Sequence, residues 1–213
     1  MKERPVMEEQ QAREEIVKWG KELYDRGLTS GSGGNLSIRI DDDTVLATPT
    51  GWSLGHLTAE SITKTTIEGV VLSGPKPTKE MPMHLMAYKT RPDIAAVAHT
   101  HSAYATSYGC MTEPGTLMPP FVSSIVAKVG DVKVTPFCLA GSRELGEVVS
   151  EAIRDSQAVI LANHGVLAVG GTLEAAVTAA YEVEDDAKIY FISGRKARPL
   201  PAVMLAKIKP SFK

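Results

Sequence analysis

The sequence is short of the features that mark secreted and membrane proteins. It has two cysteines, Cys110 and Cys138, which lie far apart and outside any CxxC pattern, and this argues against a disulfide scaffold. The amino terminus from Met1 to Gln11 is charged and lacks the apolar stretch of a signal peptide. No run approaches the roughly 18 apolar residues of a membrane helix. We therefore expect a cytoplasmic protein.

An excess of charge of one sign is also missing. The chain carries 23 Lys and Arg residues against 25 Asp and Glu residues, a formal net charge of -2. This balance predicts neither a nucleic-acid partner nor an anionic membrane partner. With 213 residues, 43% of them hydrophobic, the chain is long enough for one sizeable domain and short for two. We predict a single domain over residues 1–213, with a core at about 12–194 and a surface tail at 195–213.

Two histidines end a short apolar segment that follows a predicted helix. The helix begins near Glu80, with Thr78 at the N-cap position, and Pro92 stops it. The apolar residues that follow read as a buried strand leading into His99 and His101. Side chains two residues apart on a strand point to the same face, so both imidazoles can reach one ion.

A third histidine is placed to complete a metal site. Residues 158–162 read as a second buried strand, which ends in Asn163, His164 and Gly165. Imidazole suits zinc and similar metals, and a catalytic zinc keeps one exchangeable position. The alternative is that these histidines are simply satisfied within their strands. Three histidines at two strand ends, with Glu80 at a helix start, favour the metal site.

Other segments have less specific patterns. The glycine- and hydroxyl-rich residues 29–37 could offer N–H groups to an anion or be a plain connector, and residues 48–51 form a second tight turn. His84 lies four residues after Glu80 on the same helical face, and we interpret it as a packing residue or a neighbour of the ligands. Residues 173–193 read as a helix, whose acidic residues Glu182, Glu184, Asp185 and Asp186 we interpret as its solvated face.

Four ordered pieces of the sequence carry a family resemblance. They are Gly33-Gly34-Asn35-Leu36-Ser37, Pro49-Thr50-Gly51, Lys76-Pro77-Thr78-Lys79-Glu80, and His99-Thr100-His101 followed by Asn163-His164-Gly165. In this order they resemble the class II aldolase/adducin family, over about residues 12–194. The resemblance implies an α/β fold, a three-layered αβα domain with a largely antiparallel central sheet. It also implies assembly as a fourfold-symmetric homotetramer.

The resemblance assigns roles to individual residues. It implies Zn²⁺, or another divalent metal such as Mn²⁺ or Co²⁺, on His99, His101 and His164. It implies Glu80 as a ligand that can leave the metal and act as the catalytic acid/base. The implied substrate is a small phosphorylated sugar or sugar acid. The residues expected to bind it, chiefly at its phosphate, are Ser32, Asn35, Thr50, Gly51, Thr78 and Lys79.

The implied activity is cleavage of a carbon–carbon bond beside a carbonyl, with retro-aldol cleavage as the first expectation. The metal would polarise the carbonyl and stabilise the enediolate, and Glu80 would move a proton. Decarboxylation of a 3-oxo sugar-acid phosphate shares this intermediate and is the alternative. It is favoured by Thr78-Lys79-Glu80, which is similar to the decarboxylase members, whereas the fuculose-phosphate aldolase has Ser-Ser-Glu.

Two further functions are alternatives, and the sequence differs from the fuculose-phosphate aldolase at one functional position. The epimerases of the family carry Asp at the position of Glu80, and a non-catalytic, adducin-like domain would be expected to have lost the ligands. The fuculose-phosphate aldolase takes a tyrosine from a neighbouring subunit in the segment corresponding to about residues 121–125. This chain has Val122, Ser123 and Ser124 there. The sequence therefore identifies no proton donor for a retro-aldol reaction.

Overall fold

A computed structural model describes residues 7–208. Residues 1–6 and 209–213 lie outside that range, and with them most of the charged amino terminus and the end of the predicted tail.

The centre of the fold is an eight-stranded mixed sheet. Its strands are β1 (Asn35–Arg39), β2 (Thr44–Ala47), β3 (Thr63–Thr66), β4 (Val71–Ser73), β5 (Ala96–Thr100), β6 (Lys133–Thr135), β7 (Ala158–Leu161) and β8 (Gly165–Gly170). They lie in the order β4-β3-β2-β1-β5-β8-β7-β6. Neighbouring strands run antiparallel apart from β6 and β7, which run parallel. The predicted largely antiparallel sheet is confirmed.

Helices cover both faces of this sheet. They are α1 (Glu9–Asp25), α2 (Met81–Thr90), α3 (Ala103–Met111), α4 (Ser123–Lys128), α5 (Arg143–Ala152), α6 (Leu173–Ile192) and α7 (Ala202–Ile208), with two short 3₁₀ turns at Leu54–His56 and Ala59–Ser61. Within residues 7–208, none of the helices is long and apolar enough to cross a membrane.

Alternation along the central strands produces the three layers. Val97 of β5 and Leu167 of β8 pack with α2 and α5 on one face. Their neighbours Ala98 and Ala168 point to the opposite face, where α1, α3, α4 and α6 pack. Because side chains alternate along a strand, one apolar run supplies two cores, and this accounts for the runs of buried residues in β5, β7 and β8. The predicted αβα arrangement is confirmed.

The start of α2 differs from the predicted cap. Glu80, not Thr78, takes the N-cap position, and α2 begins at Met81 with Pro82 in its first turn. The Thr78 hydroxyl accepts the N–H of Glu80 at 3.3 Å, so Thr78 orders the turn before the helix. This turn places the Glu80 side chain at the sheet rather than in solvent, with 3% of its surface exposed.

The acidic residues of α6 contradict the predicted solvated face. Asp185 is exposed, but Asp186 has no exposed surface and accepts the N–H groups of Phe121 and Val122 at 3.0 and 3.2 Å. Glu184 likewise accepts two N–H groups in the first turn of α3, at 3.0 and 2.8 Å. Helix starts leave N–H groups without partners, and carboxylates from another helix supply the acceptors here. Helical periodicity could not reveal these partners, because they come from other elements.

Residues after α6 return to the body of the domain. The N–H of Leu200 donates to the carbonyl of Pro120 at 2.9 Å. Leu200, Leu205 and Ile208 are partly buried against the core beneath α3, α4 and α6. The described part of this segment therefore packs on the same face as α4.

Candidate metal centre and active site

Three elements meet where β5 ends. His99 lies on β5 and His101 one residue beyond it, while Glu80 stands at the start of α2. β8 lies beside β5, and the tight turn that joins β7 to β8 contains His164. Asn163 in that turn has φ of 54°, a left-handed conformation that asparagine tolerates better than most residues. The turn thus presents His164 at the edge where the other two histidines lie.

The four side chains form a compact cluster. The Nε2 atoms of His99 and His101 are 2.9 Å apart. Oε2 of Glu80 lies 3.2 Å from Nε2 of His99, and Oε1 lies 3.0 Å from Nε2 of His164. All four ligand atoms lie within 4.8 Å of one another. Ligands 2.0–2.1 Å from a tetrahedral zinc ion would be about 3.4 Å apart, so the spacing suits one ion.

The chemistry of these atoms also suits a cation. Nδ1 of His99 lies 2.9 Å from the carbonyl oxygen of Val166. That oxygen can only accept, so Nδ1 carries a hydrogen, and the second ring nitrogen, Nε2, faces Glu80 and His101. Oε1 of Glu80 is buried and accepts no well-directed hydrogen bond from any of residues 7–208, although His164 is near. Buried lone pairs that face one another are satisfied by a positive charge between them.

The environment shifts the pKa values of two of these groups. Burial acts to raise the pKa of Glu80, but interactions with His164 and His99 and the amide of Asn35 outweigh it and hold that pKa well below its usual range. Burial, followed by the charges of His99 and His164, lowers the pKa of His101 to about 4. The carboxylate is thus ionised and the His101 ring neutral near pH 7, as metal ligands must be.

Two glycines allow the backbone to approach the histidines. A β-carbon on Gly33 would lie 2.8 Å from Nδ1 of His101. A β-carbon on Gly165 would collide with the carbonyl oxygen of Thr100, and would also lie 3.1 Å from Cδ2 of His101 and 3.2 Å from Cε1 of His99. Both positions therefore require glycine, because any side chain would displace the ligands.

Comparison with known proteins assigns the family. Residues 14–191 match the family described as Class II Aldolase and Adducin N-terminal domain. The chain belongs to this family. It is similar to a 3-oxo-tetronate 4-phosphate decarboxylase of Pectobacterium atrosepticum, 41% identical over 97% of this chain and 96% of that protein. It is also similar to an L-fuculose phosphate aldolase of Methanococcus maripaludis, 40% identical over 84% of this chain and 95% of that protein.

Solved structures agree with this assignment. The crystal structure of YgbL from Klebsiella pneumoniae superimposes with a TM-score of 0.90 at 37% identity, covering 95% of this chain and 100% of that chain. An L-fuculose 1-phosphate aldolase superimposes with a TM-score of 0.86 at 34% identity, covering 93% and 94%. The chain is an enzyme of the class II aldolase superfamily, and its glutamate and three histidines could bind a divalent metal.

The loops predicted to bind phosphate in this member of the class II aldolase and adducin family are partly joined to one another. Pro49 and Pro77 form an isolated bridge, and the N–H of Thr50 donates to the carbonyl of Lys76 at 3.0 Å. Gly51 has φ of 78°, which glycine adopts without strain. Thr50 and Gly51 are exposed, as is Ser32 in the loop that leads to Gly33, whereas Thr78 is buried. Their predicted role stays a prediction.

Lys79 is the cation beside the cluster. Lys79 is exposed to solvent, and it makes no salt bridge with any of residues 7–208. Its charge contributes to lowering the pKa of His101, after burial and the neighbouring histidines. A positive charge thus lies within electrostatic range of the metal ligands while staying available to an anion.

Sequence reasoning missed one partner of the cluster. Asn35 was predicted at the phosphate, but its amide nitrogen donates to Oε2 of Glu80 at 2.8 Å, and its amide oxygen contacts Nε2 of His84 at 2.5 Å. His84 was predicted as a packing residue or a neighbour of the ligands. Its side chain contacts Asn35, which in turn contacts Glu80. The sequence indicated that Glu80 and His84 share a helix face, because they are four residues apart on one helix. It did not indicate that Asn35 of β1 lies between them.

Proposed function

We propose that this protein is a metal-dependent carbon–carbon lyase that decarboxylates a 3-oxo sugar-acid phosphate. The observation that carries the proposal is Lys79, an exposed cation without a salt bridge in the described chain, which precedes Glu80 in the sequence and whose charge acts on His101. A sugar-acid phosphate has a carboxylate besides its phosphate and needs such a second positive charge. This reverses the order of the sequence-based expectation, in which retro-aldol cleavage came first.

Two further findings favour decarboxylation over retro-aldol cleavage. The decarboxylase relative from Pectobacterium matches nearly the whole chain, whereas the aldolase relative from Methanococcus matches 84% of it. Residues 121–125 hold no tyrosine that could take the part of the aldolase's proton donor. Retro-aldol cleavage of a ketose phosphate is the second candidate, since the aldolase relative is still 40% identical.

The reaction places clear demands on the site. Loss of carbon dioxide breaks the bond from C1 to C2, moves its electron pair toward the C3 carbonyl, and leaves C2 to take a proton. A divalent cation held by Glu80, His99, His101 and His164 would polarise that carbonyl and offset the negative charge. Lys79 binds and orients the anionic substrate, so that the C1–C2 bond is aligned for cleavage.

Glu80 has the geometry of a proton carrier. Its Oε2 is held by Asn35, whereas Oε1 accepts no well-directed hydrogen bond from any of residues 7–208. The carboxylate is ionised at rest, so we assign to Oε1 the relay of a proton: it takes the proton from water and passes it to C2, general acid–base catalysis that is worth about 10²–10⁴ in rate. The phosphate is assigned to Ser32, Thr50, Gly51 and Thr78. Asn35 joins them only if its amide turns away from Glu80.

The finer properties of the enzyme are also proposals. Zinc is the proposed ion, because imidazole and carboxylate are ligands that zinc favours. A fourfold-symmetric homotetramer would cover apolar residues that are exposed in one subunit, among them Leu72, Phe137 and Leu139. A cytoplasmic location suits the free thiols of Cys110 and Cys138. Metal analysis of purified protein and its mass by light scattering test the first two proposals.

Product analysis with two substrates tests the reaction. Purified protein is given 3-oxo-tetronate 4-phosphate in one assay and L-fuculose 1-phosphate in the other, and carbon dioxide and aldehyde are measured. Triose phosphate is a product of both reactions and does not discriminate between them. We expect carbon dioxide from the first substrate and little aldehyde from the second. Aldehyde without carbon dioxide would instead make the protein a retro-aldolase.

Variants of Lys79 and Glu80 test the assigned roles. We expect Lys79→Met to raise KM for the acid about 10-fold or more, because a charge-assisted contact contributes about 1.5–3 kcal/mol. Lys133→Met removes an exposed lysine of β6, at the far edge of the sheet, and serves as the control. Glu80→Gln is expected to lower kcat by at least about 100-fold. Turnover by this variant within a few-fold of wild type would remove Glu80 from the reaction.

A further inference from the structure

A chain of four hydrogen bonds leads from the protein interior to Glu80. Asn35 and Ser37 lie two residues apart on β1, and Glu80, His84 and Tyr88 follow one another at intervals of four residues along α2. Residues two apart share a strand face and residues four apart share a helix face, so the two series oppose each other. The side chains alternate between strand and helix along the chain of contacts.

The contacts are short and continuous. Tyr88 Oη lies 2.8 Å from Oγ of Ser37, and that Oγ lies 2.7 Å from Nδ1 of His84. Nε2 of His84 contacts the amide oxygen of Asn35 at 2.5 Å, and the amide nitrogen of Asn35 lies 2.8 Å from Oε2 of Glu80. The four groups beyond Glu80 are each at most 5% exposed, so water does not compete for these bonds.

The hydrogen bonds run in one direction only. A carboxylate accepts, so the Asn35 amide nitrogen must donate to Glu80 and its oxygen must accept from Nε2 of His84. The His84 ring has no exposed surface, and within residues 7–208 its two nitrogens contact Asn35 and Ser37 and no carboxylate, so the ring carries its one hydrogen on Nε2 and its Nδ1 accepts from Ser37. The Ser37 oxygen is then left to accept from Tyr88. The reverse order would set the amide oxygen of Asn35 against the Glu80 carboxylate.

We propose that Asn35, Ser37, His84 and Tyr88 are positioning residues, which fix Oε2 of Glu80 and thereby present Oε1 to the ion and the substrate. Among the contacts within residues 7–208, the side chains of Ser37, His84 and Tyr88 do not touch the ligand cluster, and their contribution passes through Asn35. The inference rests on the proposed function only in treating Glu80 as both ligand and acid/base. In this proposal the orientation of the Glu80 carboxylate is determined by the direction of four buried hydrogen bonds, and not by its charge alone.

Variants that break the chain test the proposal. Ser37→Ala removes its central link, and Tyr88→Phe removes the group that directs the Ser37 hydroxyl. Ser150→Ala and Tyr181→Phe are the matched controls, because the hydroxyls of Ser150 and Tyr181 are buried and have no hydrogen-bond partner among residues 7–208. Four quantities are measured for each variant: Zn²⁺ affinity by chelator competition, kcat, KM and the melting temperature.

The expected pattern separates positioning from simple stability. Loss of a partner that orients a metal ligand weakens metal binding or activity about 10–100-fold, and we expect this range for Ser37→Ala in both Zn²⁺ affinity and kcat. Tyr88→Phe should have a smaller effect in the same direction, with KM unchanged in both variants. The controls should match wild type in affinity and kcat. A lower melting temperature with unaltered Zn²⁺ affinity and kcat would overturn the proposal.

Two replacements of His84 test the direction of the chain. His84→Gln keeps a donor near the position of Nε2 and can still serve Asn35, whereas His84→Asn keeps only a group near the position of Nδ1. We expect His84→Gln to retain at least several-fold more Zn²⁺ affinity than His84→Asn. Equal losses in the two variants, at equal melting temperature, would contradict the assigned direction.

The metal readout separates this inference from the proposed reaction. If neither substrate is turned over by wild-type protein but Ser37→Ala still weakens Zn²⁺ binding, the reaction is wrong and the positioning chain stands. If wild-type protein releases carbon dioxide and the variants bind Zn²⁺ and turn over normally, the positioning chain is wrong and the reaction stands. Co²⁺ in place of Zn²⁺ adds a spectroscopic measure, because its visible absorption reports ligand geometry.

Discussion

Removing the buried charge of Asp186 should change how the stability of this protein depends on pH. Burial raises the pKa of Asp186 from 3.8 to about 6; the N–H groups of Phe121 and Val122 oppose this rise, and the charge of Glu182 adds to it. The folded protein therefore binds this proton more tightly than the unfolded chain does. Its contribution to stability is fully present below about pH 3.8 and is lost as the pH rises through about 6.

The size of the effect follows from the shift. A difference of about two pH units between the folded and unfolded states corresponds to about 3 kcal/mol. Asp186→Asn keeps an acceptor oxygen for the two N–H groups but has no proton to bind in this range. We therefore expect the free energy of unfolding of wild type, measured relative to this variant, to fall by about 2.5 kcal/mol between about pH 4 and about pH 7, since the unfolded carboxyl group is already partly ionised at pH 4.

Urea unfolding in the presence of a chelator measures this difference without a contribution from metal binding. All other ionisable groups are common to both proteins, so their contributions cancel in the comparison. Asp185→Asn removes the same charge from the exposed side of α6 and should follow wild type at every pH. If wild type and Asp186→Asn change stability in parallel across this range, the carboxylate is not held in the way that the structure indicates.

Two further substitutions test how the site is supported. Gly165→Ala should weaken Zn²⁺ binding at least about 10-fold, because the added methyl group meets Thr100 and crowds two ligand histidines, while Gly171→Ala, which has nothing within 4 Å, should bind Zn²⁺ as wild type does. Normal Zn²⁺ affinity in Gly165→Ala would show that the ligands can shift without loss. Glu184→Ala leaves two N–H groups of α3 without their acceptor, and we expect it to lower the free energy of unfolding in urea by about 0.5–2 kcal/mol. Glu174→Ala is the control, because Glu174 is exposed at the start of the same helix. Equal losses in these two variants would contradict the capping role.

The parts of the fold that were predicted correctly depend on local pattern. Apolar runs that end at His99 and at His164 indicated the strands, and the two-residue spacing of His99 and His101 indicated a shared face. The ordered motifs added the family and with it the three layers. These signals lie within a few residues of each other or belong to motifs, so the four residues of the cluster could be identified from the sequence, and their role as metal ligands stays a prediction.

The parts that were not predicted depend on which elements are neighbours. Asn35 could not be paired with Glu80, because that contact requires β1 to lie beside β5 and beneath the start of α2. Asp186 and Glu184 looked solvated for the same reason, since their partners are backbone N–H groups on other segments. A periodicity separates the inside of a helix from its outside, but it does not say what a polar residue meets there.

The ligands of the cluster belong to separate parts of the chain, and this links metal supply to folding. Glu80, His99 and His164 come together only when β5 and β8 are paired and α2 is docked. An ion that binds only the assembled site shifts the folding equilibrium by mass action. Well above the dissociation constant, each tenfold increase in free metal adds about 1.4 kcal/mol to the apparent free energy of unfolding. The amount of intact protein in a cell would therefore follow the local availability of the ion.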